Sequence, residues 1–457
     1  MTHNSQQIIS LQSLERRTVA SIASLYGFRM LGLFMVLPVM ALYFDQYQNY
    51  TPFLLGIALG IYGFTQAIFQ IPLGLLSDKI GRRPIIIAGL LIFILGSVVA
   101  GLSDSAVGVI IGRALQGVGA IASTLMALVT DCTSEENRTK SMATIGASIG
   151  LSFAIAMILG PIISSIFGLS GIFWTTAVLG VVGIIIVFIA IPKTLVVRRN
   201  RETQTDIQQM GWLLRQPDLL RLNLGIFFLH LVLMAAFVVV PMVLVNELGI
   251  SADSLWWVYL CLISGGFVMM LPLMIVGEKR GRHKQNFIAA ITLMAIAMLV
   301  MGFYRDNLIA PCMLLLFFAA FNLLEATLPS WLSKVCPVGN RGTAMGIYSS
   351  FQFMGAFVGG LLGGWALVSF GISGLFVLLG AILLLWVFLA LPMQSPKALQ
   401  TMVLHIGDKN PAEFTKIISN IVGVEDILLV EGEDLAYIKV DKRTVDLPSL
   451  QPFFNRT

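Results

Sequence analysis

The sequence predicts an all-α polytopic membrane protein, built from two six-helix repeats and followed by a small α+β domain of ferredoxin-like order. Three observations predict this fold class: the composition, a series of apolar segments, and short motifs that recur between the two halves. The 457 residues are 57% apolar and 12% charged, with a mean hydropathy of +0.88. Because soluble domains carry about 25% charged residues, the composition excludes an ordinary cytosolic enzyme and a nucleic-acid-binding protein.

Twelve apolar segments follow one another, each long enough for the ~20 residues that cross a bilayer. They predict an N-terminal half at 18–192 and a C-terminal half at 219–392, with a segment at 1–17 before them and a linker at 193–218 between them. The first segment is too long for a cleavable signal, so we expect it to be retained. The twelve spans are 18–44, 52–76, 84–103, 105–132, 138–167, 170–192, 219–247, 253–277, 284–304, 308–336, 341–370 and 372–392.

The distribution of Lys and Arg predicts the orientation. The connections on one side of the spans hold 19 of the 29 basic residues, whereas those on the other side hold one, Arg305. Because basic loops stay in the cytoplasm, we expect both termini to be cytoplasmic. We also expect the protein to lie in a bacterial-type inner (plasma) membrane.

Two stretches of the N-terminal half recur in the C-terminal half. Residues 137–142 match 340–345 at an offset of 203, and residues 78–83 match 278–283 at an offset of 200. Two parallel six-span repeats are a transporter architecture, in which the substrate path lies between the halves.

Residues 396–457 are predicted to leave the membrane and to follow the order βαββα, most of a ferredoxin-like fold. The domain resembles small metal-carrier domains in this order but lacks their Cys pair, so we reject thiolate metal binding and expect no metal. Its role stays open between ion sensing, contact with the bundle, a passive cap and oligomerisation. The predicted elements are strands at 401–407, 424–431 and 435–441 and helices at 411–422 and 447–454.

Four motifs, in order, resemble those of the major facilitator superfamily. Residues 74–84 are similar to its loop 2–3 motif, residues 113–120 to the span-four motif of its proton-coupled drug exporters, Gly160-Pro161 to its antiporter motif, and residues 31–38 to its span-one motif. The resemblance covers residues 15–392. It implies a proton-coupled exporter of small amphipathic organic compounds that works by alternating access. The antiporter motif departs from the family pattern, because Ile162 and Ile163 replace paired glycines.

The resemblance also implies a conformational latch at the loop between spans two and three. In the family, the aspartate of this loop engages the start of span eleven and the arginine reaches an acid at the end of span four. The alternative is a solvated basic loop that only fixes topology. The predicted latch residues are Gly74, Asp78, Gly81, Arg82 and Asp131.

Ionisable residues inside spans are candidates for proton coupling. Glu325 lies well inside span ten, where an acid exchanges its proton when a cavity opens. His230 in span seven is a second candidate, or alternatively a hydrogen-bonded packing residue. Arg113 in span four stays protonated. The resemblance implies that it tunes a nearby carboxylate or binds coupling charge, and the alternative is that it caps carbonyls of a neighbouring helix.

Polar residues at helical spacing predict the substrate path between the halves. The alternative is that they form hydrogen bonds between helices or, for Arg29, that the side chain snorkels to the membrane surface. The predicted path residues are Arg29, Tyr62, Gln66, Gln70, Gln116, Asn322, Tyr348 and Gln352, and the predicted packing residues are Gly117, Gly160 and Pro161.

Two functions stay open at this point: a proton-coupled transporter, and a membrane-embedded sensor that signals through the C-terminal domain. An enzyme is not expected, because no HExxH motif, nucleophile–base pair or cofactor fingerprint is present. We expect no cofactor, with protons as the coupling ion. As partners we expect the lipid bilayer, protons and a small-molecule substrate, no nucleic acid, and a monomeric protein.

Overall fold

The computed structural model describes residues 2–133, 135–191, 207–280, 282–337, 340–394, 399–407, 410–429, 435–441 and 444–454. Within these ranges, nine helices are long and apolar enough to cross a membrane. Two of them each contain two predicted spans, joined where a glycine takes a positive φ, at Gly168 (64°) and Gly371 (67°). Both glycines fall between predicted segments. Most of the predicted linker, residues 193–206, lies outside the described residues.

Two spans begin at a side-chain cap. Thr51 and Ser105 cap the starts of spans two and four by accepting from the backbone N–H groups of Leu54 (3.1 Å) and Gly108 (3.2 Å). The spans are Thr2–Phe34 with Met40–Tyr43 (one), Pro52–Ile80 (two), Arg82–Leu102 (three), Ala106–Val118 with Ala122–Cys132 (four), Glu135–Ala190 (five and six), Pro217–Met242 (seven), Leu255–Arg280 (eight), His283–Phe303 (nine), Ile309–Val335 (ten) and Arg341–Ala390 (eleven and twelve), and a short helix, Ile207–Arg215, precedes span seven.

Spans one and four are interrupted, whereas the sequence predicts each as one continuous segment. Span one unwinds after Phe34 around Pro38, because proline lacks the N–H that would continue the helix. Span four breaks at Gly119, which packs directly against the backbone of span three. A methyl group on Gly119 would lie only 3.2 Å from the backbone nitrogen of Phe93. Span one also begins as a helix at Thr2, within the segment predicted to precede the membrane.

Span eleven contacts spans two and seven through glycines, at a surface that we call the glycine seam. On the side of span two, a methyl group on Gly360 would lie 3.0 Å from the Cα of Gly60. On the side of span seven, a methyl group on Gly359 would lie 2.7 Å from the Cα of Leu231. Such approaches exclude any side chain, so the backbones of these helices are in direct contact. The other seam glycines are Gly56, Gly63, Gly355, Gly363 and Gly364.

The apolar core is shared by the two halves on the predicted outer side. There, Met40 and Phe44 of the N-terminal half belong to the same buried cluster as Val239 and Val243 of the C-terminal half. On the predicted cytoplasmic side, a second buried cluster surrounds Leu90 of the N-terminal half, and Phe353 of span eleven belongs to it. Apolar packing therefore joins the halves in both clusters.

The C-terminal domain contains the strands β1 (Leu399–His405), β2 (Val424–Leu429) and β3 (Leu435–Asp441), which form an antiparallel sheet in the order β1-β3-β2. Its helices are Pro411–Ser419 and Leu447–Leu450, the latter followed by a 3-10 turn at Gln451–Phe453. Phe414 and Ile418 pack on one face of the sheet, against Leu404 and Ile438. The predicted βαββα order is confirmed for the described residues, with the first helix ending three residues earlier than predicted.

Lys439, on the opposite face of this sheet, contacts the transmembrane bundle. Lys439 alternates with the core residue Ile438 and is 7% exposed. Its ammonium group donates to the carbonyl of Lys334 (3.1 Å) and to that of Cys336, at the end of span ten. A cation at a helix C-terminus satisfies carbonyls that lack a partner within the helix and interacts favourably with the helix dipole. Contact with the bundle, one of the four roles left open by the sequence, is thus observed.

Replacing Lys439 by Met should loosen the domain from span ten, because Met keeps an apolar stem but has no ammonium group. A hydrogen bond to a charged group contributes about 1.5–3 kcal/mol, so hydrogen exchange of the backbone amides at 332–336 and 435–441 should accelerate by about 10-fold or more. Lys416→Met, on the exposed face of the domain, is the control. Equal exchange in both variants would show that the ammonium does not hold the domain in place.

Candidate functional site

Three polar residues of the C-terminal half meet between spans seven, ten and eleven. The Gln352 amide nitrogen lies 2.9 Å from His230 Nε2 and 3.3 Å from Glu325 Oε1. His230 Nε2 and Glu325 Oε2 are 3.9 Å apart. We call this group the acid cluster. It brings together two of the three residues predicted for proton coupling, Glu325 and His230, and one predicted for the path, Gln352; Arg113, the third, lies elsewhere.

The hydrogen bonds define the protonation pattern of the acid cluster. Because the Gln352 amide nitrogen only donates, His230 Nε2 accepts and the imidazole proton lies on Nδ1. Nδ1 in turn lies 3.3 Å from the carbonyl oxygen of Ile226, one helical turn earlier. The second amide N–H of Gln352 donates to Glu325. This arrangement suits a neutral histidine beside a carboxylate oxygen that accepts.

The acid cluster lies beside the contact between the halves. The Phe321 ring of span ten is 6.1 Å from the His230 ring and 6.3 Å from the ring of Phe153, which belongs to span five in the N-terminal half. Glu325 keeps 37% of its side chain exposed although it lies mid-span. Asn322, one turn before Glu325, is half-buried, and Tyr348, one turn before Gln352, is buried.

A second polar group, the arginine cluster, lies within the N-terminal half. Arg29 and Arg113 are 2% and 0% exposed, and their guanidinium carbons lie 5.8 and 5.3 Å from the centre of the Tyr62 ring. Arg29 Nη2 donates to Gln66 Oε1 (2.6 Å). Arg113 donates through Nε to the Ala58 carbonyl (3.3 Å) and through Nη1 to Gln116 Oε1 (3.1 Å).

The arginine cluster corrects two expectations. Among the described residues, the hydrogen-bond partners of Arg113 are a backbone carbonyl and an amide, so the carboxylate beside it is not found and the capping alternative describes its contacts better. The predicted polar stripe of span two does not line a water-filled path here: Tyr62, Gln66 and Gln70 are at most 1% exposed. The reason is that each side chain is used in contacts between helices. Gln66 and Gln70 form the hydrogen bonds that the alternative interpretation expected, and the Tyr62 ring lies against Arg29 and Arg113.

Gln70 joins the two halves directly. Its amide nitrogen donates to Ser350 Oγ (2.6 Å) on span eleven and approaches the Gly346 carbonyl (3.5 Å). The backbone carbonyl of Gln70 accepts from Ser123 Oγ of span four (2.6 Å). No local pattern points to Ser350, because nothing near it in the sequence encodes the register between spans two and eleven.

The loop between spans two and three has the predicted latch geometry within its own half. Gly81 takes a φ of 99°, which turns the chain from span two into span three. Arg82 Nε donates to Asp131 Oδ2 (2.9 Å), Nη1 donates to Ser77 Oγ (2.6 Å), and Nη1 also pairs with Asp78. The predicted Arg82–Asp131 contact is therefore confirmed, and the engagement of Asp78 with the start of span eleven stays a prediction.

The predicted packing residues lie where helices approach closely. A methyl group on Gly117 would be 3.0 Å from the Tyr62 carbonyl carbon, and one on Gly160 would be 3.0 Å from Pro38 Cγ. Gly74, which was predicted for the latch, also lies at a close approach, since a methyl group there would be 3.0 Å from Ser123 Oγ. Pro161 lies inside the helix of span five. Polar residues that the sequence did not single out complete the contacts: Ser97 accepts from Gln116 (2.9 Å), and Thr65 donates to the Ala114 carbonyl (2.9 Å).

A cavity of about 150 Å³ opens on the predicted cytoplasmic side between spans eight, nine and ten. It is lined by His283, Asn286, Thr327, Ser330 and Lys334, together with apolar residues. Lys334, whose carbonyl accepts from the C-terminal domain, therefore also borders this cavity.

Comparison of sequences places the chain among transporters. The profile of the family described as Major Facilitator Superfamily matches residues 22–221 and again residues 222–401. The chain is 42% identical over 435 residues to the inner membrane transport protein YajR of Escherichia coli (strain K12), which covers 94% of this chain and 96% of that protein. It is 25% identical over 357 residues to multidrug resistance protein 2 of Bacillus subtilis (strain 168), covering 73% and 84%.

Solved structures show the same fold at low sequence identity. A bacterial homologue of the human lysosomal transporter Spinster, in an inward-facing and unoccupied conformation, matches 82% of this chain and 96% of its own with a TM-score of 0.65 and 13% identity. The human organic anion transporter MFSD10 (TETRAN) matches 82% and 99% with a TM-score of 0.62 and 18% identity. These similar proteins are transporters and not enzymes.

Proposed function

The chain belongs to the major facilitator superfamily, and from this premise we propose that it is a proton-coupled antiporter that exports small amphipathic organic compounds by alternating access. The acid cluster carries this proposal. It presents an acid and a histidine in hydrogen-bonding contact with one amide, at mid-membrane and beside the contact between the halves. An ionisable group at this depth is expensive unless it serves a function.

Protonation of His230 conflicts with the hydrogen bonds of the acid cluster. A proton that arrives on Glu325 Oε2, which has no hydrogen-bond partner among the described residues, leaves the bond from Gln352 to Oε1 in place. Its transfer to His230 Nε2, 3.9 Å away, would set that proton against the Gln352 N–H from which Nε2 now accepts. Protonation of His230 therefore breaks this contact or turns the Gln352 amide over, which changes how span eleven is attached to span seven.

Span eleven transmits this change to the contact between the halves. The residue after Gln352 is Phe353, whose backbone faces Gly63 of span two at the glycine seam. Ser350, two residues before Gln352, holds Gln70 of the same span. A shift of span eleven toward or away from span seven therefore alters both contacts with the N-terminal half. Interfaces of this kind have two discrete packings, which suits alternating access.

Two arguments support export driven by protons: the energy that the membrane potential supplies, and the names of similar proteins. The membrane potential contributes about 2.3 kcal/mol per charge per 100 mV to an entering proton, which can drive a substrate outward when the two are coupled. Two similar proteins carry the names multidrug resistance protein MdtH and multidrug resistance protein 2. The sensor hypothesis is less favoured, because the similarity to the transport protein YajR extends over 94% of the chain.

Transport is tested with purified protein in proteoliposomes that contain a pH-sensitive dye. A compound library is first screened for thermal stabilisation of the protein, and the compounds that stabilise it are then added to vesicles under a pH gradient. We expect proton movement that depends on both the compound and the protein. Compounds that bind without moving protons or crossing the membrane would support the sensor instead.

A further inference from the structure

The arginine cluster carries two positive charges for which the surrounding residues supply only neutral partners. Arg29 and Arg113 are almost fully buried, and their hydrogen bonds reach Gln66, Gln116 and the Ala58 carbonyl. Buried charges are normally paired, since an unpaired charge away from water is costly. Among the described residues, the acid that lies deepest in a span is Glu325, and it belongs to the acid cluster of the other half.

Several donors of the arginine cluster are buried without an acceptor. They are Arg29 Nε and Nη1, Arg113 Nη2 and Gln66 Nε2, and the Tyr62 hydroxyl is also without a partner. All four nitrogens can only donate. An anion with several oxygen atoms would supply the acceptors and the negative charge together, and guanidinium groups recognise carboxylate, sulfonate and phosphate groups with paired hydrogen bonds.

The arginine cluster lies directly beneath the contact between the halves. The ring of Phe353, which belongs to span eleven, lies 6.5 Å from the Tyr62 ring and shares its apolar cluster. Phe353 follows Gln352 of the acid cluster. Separation of spans two and eleven would therefore uncover Tyr62 and the two arginines on the side that faces the C-terminal half.

The surroundings favour an organic anion over an inorganic one. Aromatic rings continue from the N-terminal half into the C-terminal half: Phe34 lies 5.0 Å from Phe153, which lies 6.3 Å from Phe321. Such rings suit an apolar or aromatic body. A cationic compound is disfavoured, because the Tyr62 ring already faces two guanidinium groups that would repel it.

We infer that Arg29 and Arg113 bind the negatively charged group of the substrate, so that the transported compound is an amphipathic organic anion. This inference rests on the proposed transport function and names its substrate class. It gives Arg113 a role that does not require a neighbouring protein carboxylate. When the substrate is bound, its anionic group supplies the negative charge that a protein carboxylate would otherwise supply.

The test compares three probes with the same apolar body: a naphthalene carboxylate, its neutral carboxamide and a naphthylmethyl trimethylammonium. Binding to the purified full-length protein in detergent is measured by calorimetry at low salt. We expect the carboxylate to bind at least about 10-fold more tightly than the carboxamide, and the ammonium to bind most weakly. Equal or tighter binding of the carboxamide or the ammonium overturns the inference, as does absence of carboxylate binding at about 10 mM.

Variants then locate the site. Arg113→Gln and Arg29→Gln should each weaken carboxylate binding by about 10- to 100-fold, the factor for one hydrogen bond between charged groups, and should change carboxamide binding by less than about 3-fold. Arg113→Lys keeps the charge and serves if the glutamine variant does not fold. The control is Arg221→Gln, which removes a partly exposed arginine paired with Asp218 (3.1 Å). Unchanged carboxylate affinity in both Arg29 and Arg113 variants overturns the assignment.

The test of anion binding and the test of proton-driven transport can fail independently of each other. Binding is measured without a pH gradient, so anion selectivity can be found or lost whether or not transport is proton-driven. Proton-driven flux of a cationic compound would keep the transporter and overturn the anion site. Tight carboxylate binding with no flux under any gradient would keep the anion site and overturn the transporter.

Discussion

Glu325→Gln should abolish flux driven by a pH gradient and leave substrate binding and substrate exchange measurable. Glutamine has nearly the shape of glutamate, and its carbonyl oxygen can still accept the 3.3 Å hydrogen bond from the Gln352 amide. It cannot take up or release a proton at physiological pH. The variant therefore keeps the geometry of the acid cluster and loses only its proton chemistry.

The measurement uses the same proteoliposomes in two modes. A pH gradient should produce no flux above the protein-free background, whereas counterflow, in which labelled substrate exchanges against unlabelled substrate, should persist. Asp253→Asn removes one negative charge at an exposed loop position on the predicted outer side and should behave as the unmodified protein. Undiminished pH-driven flux in Glu325→Gln would move the coupling role to His230, which His230→Asn would then test.

Arg82→Ala should destabilise the protein by about 3 kcal/mol, the lower end of the cost of removing one partner from a buried ion pair. The side chains of Arg82 and Asp131 are 6% and 4% exposed, so their 2.9 Å contact is poorly screened by water. The lower end of this energy range applies because Asp78, the second carboxylate partner of Arg82, is 27% exposed and can be solvated when Arg82 is removed. The melting temperature should fall by roughly 5 °C.

Neighbouring variants separate the ion pair from the loss of bulk. Arg83→Ala removes a side chain that lies over the Phe188 ring at 5.2 Å and has no described acidic partner, and it should cost less than about 1 kcal/mol. Asp131→Asn should resemble Arg82→Ala, and the double variant should be much less unstable than the sum of the two single changes. Additive effects would mean that the two residues stabilise the bundle independently.

The features that could be predicted are those that short stretches of sequence encode. Apolar runs of bilayer length predict the spans, and Gly81 predicts the turn that its φ of 99° confirms. The apolar pattern predicts the break between spans five and six within two residues of Gly168, where the structure has it. Arg82 and Asp131 were paired through the family resemblance, since their separation of 49 residues has no local signature.

Other features depend on contacts between distant segments and had no such signature. Gln70 and Ser350 are 280 residues apart, and their contact requires the register of span two against span eleven. A polar stripe has the same spacing whether it faces water or another helix, so the burial of Gln66 and Gln70 could not be read from periodicity. Lys439 has the alternating position of a solvent-facing strand residue, and only the tertiary structure shows that its ammonium group binds carbonyls at the end of span ten.

The glycine seam determines what resists movement of the halves. Interdigitated side chains obstruct the sliding of one helix along another, because each side chain must leave the groove that it occupies. Where two helices meet through glycines, no side chains interdigitate. Span eleven has such contacts with span two at Gly360 and with span seven at Gly359. Resistance to movement between spans two and eleven then comes from a few polar contacts along the glycine seam, such as the hydrogen bond of Gln70 with Ser350. A single bulky substitution at Gly60 would force the two helices apart.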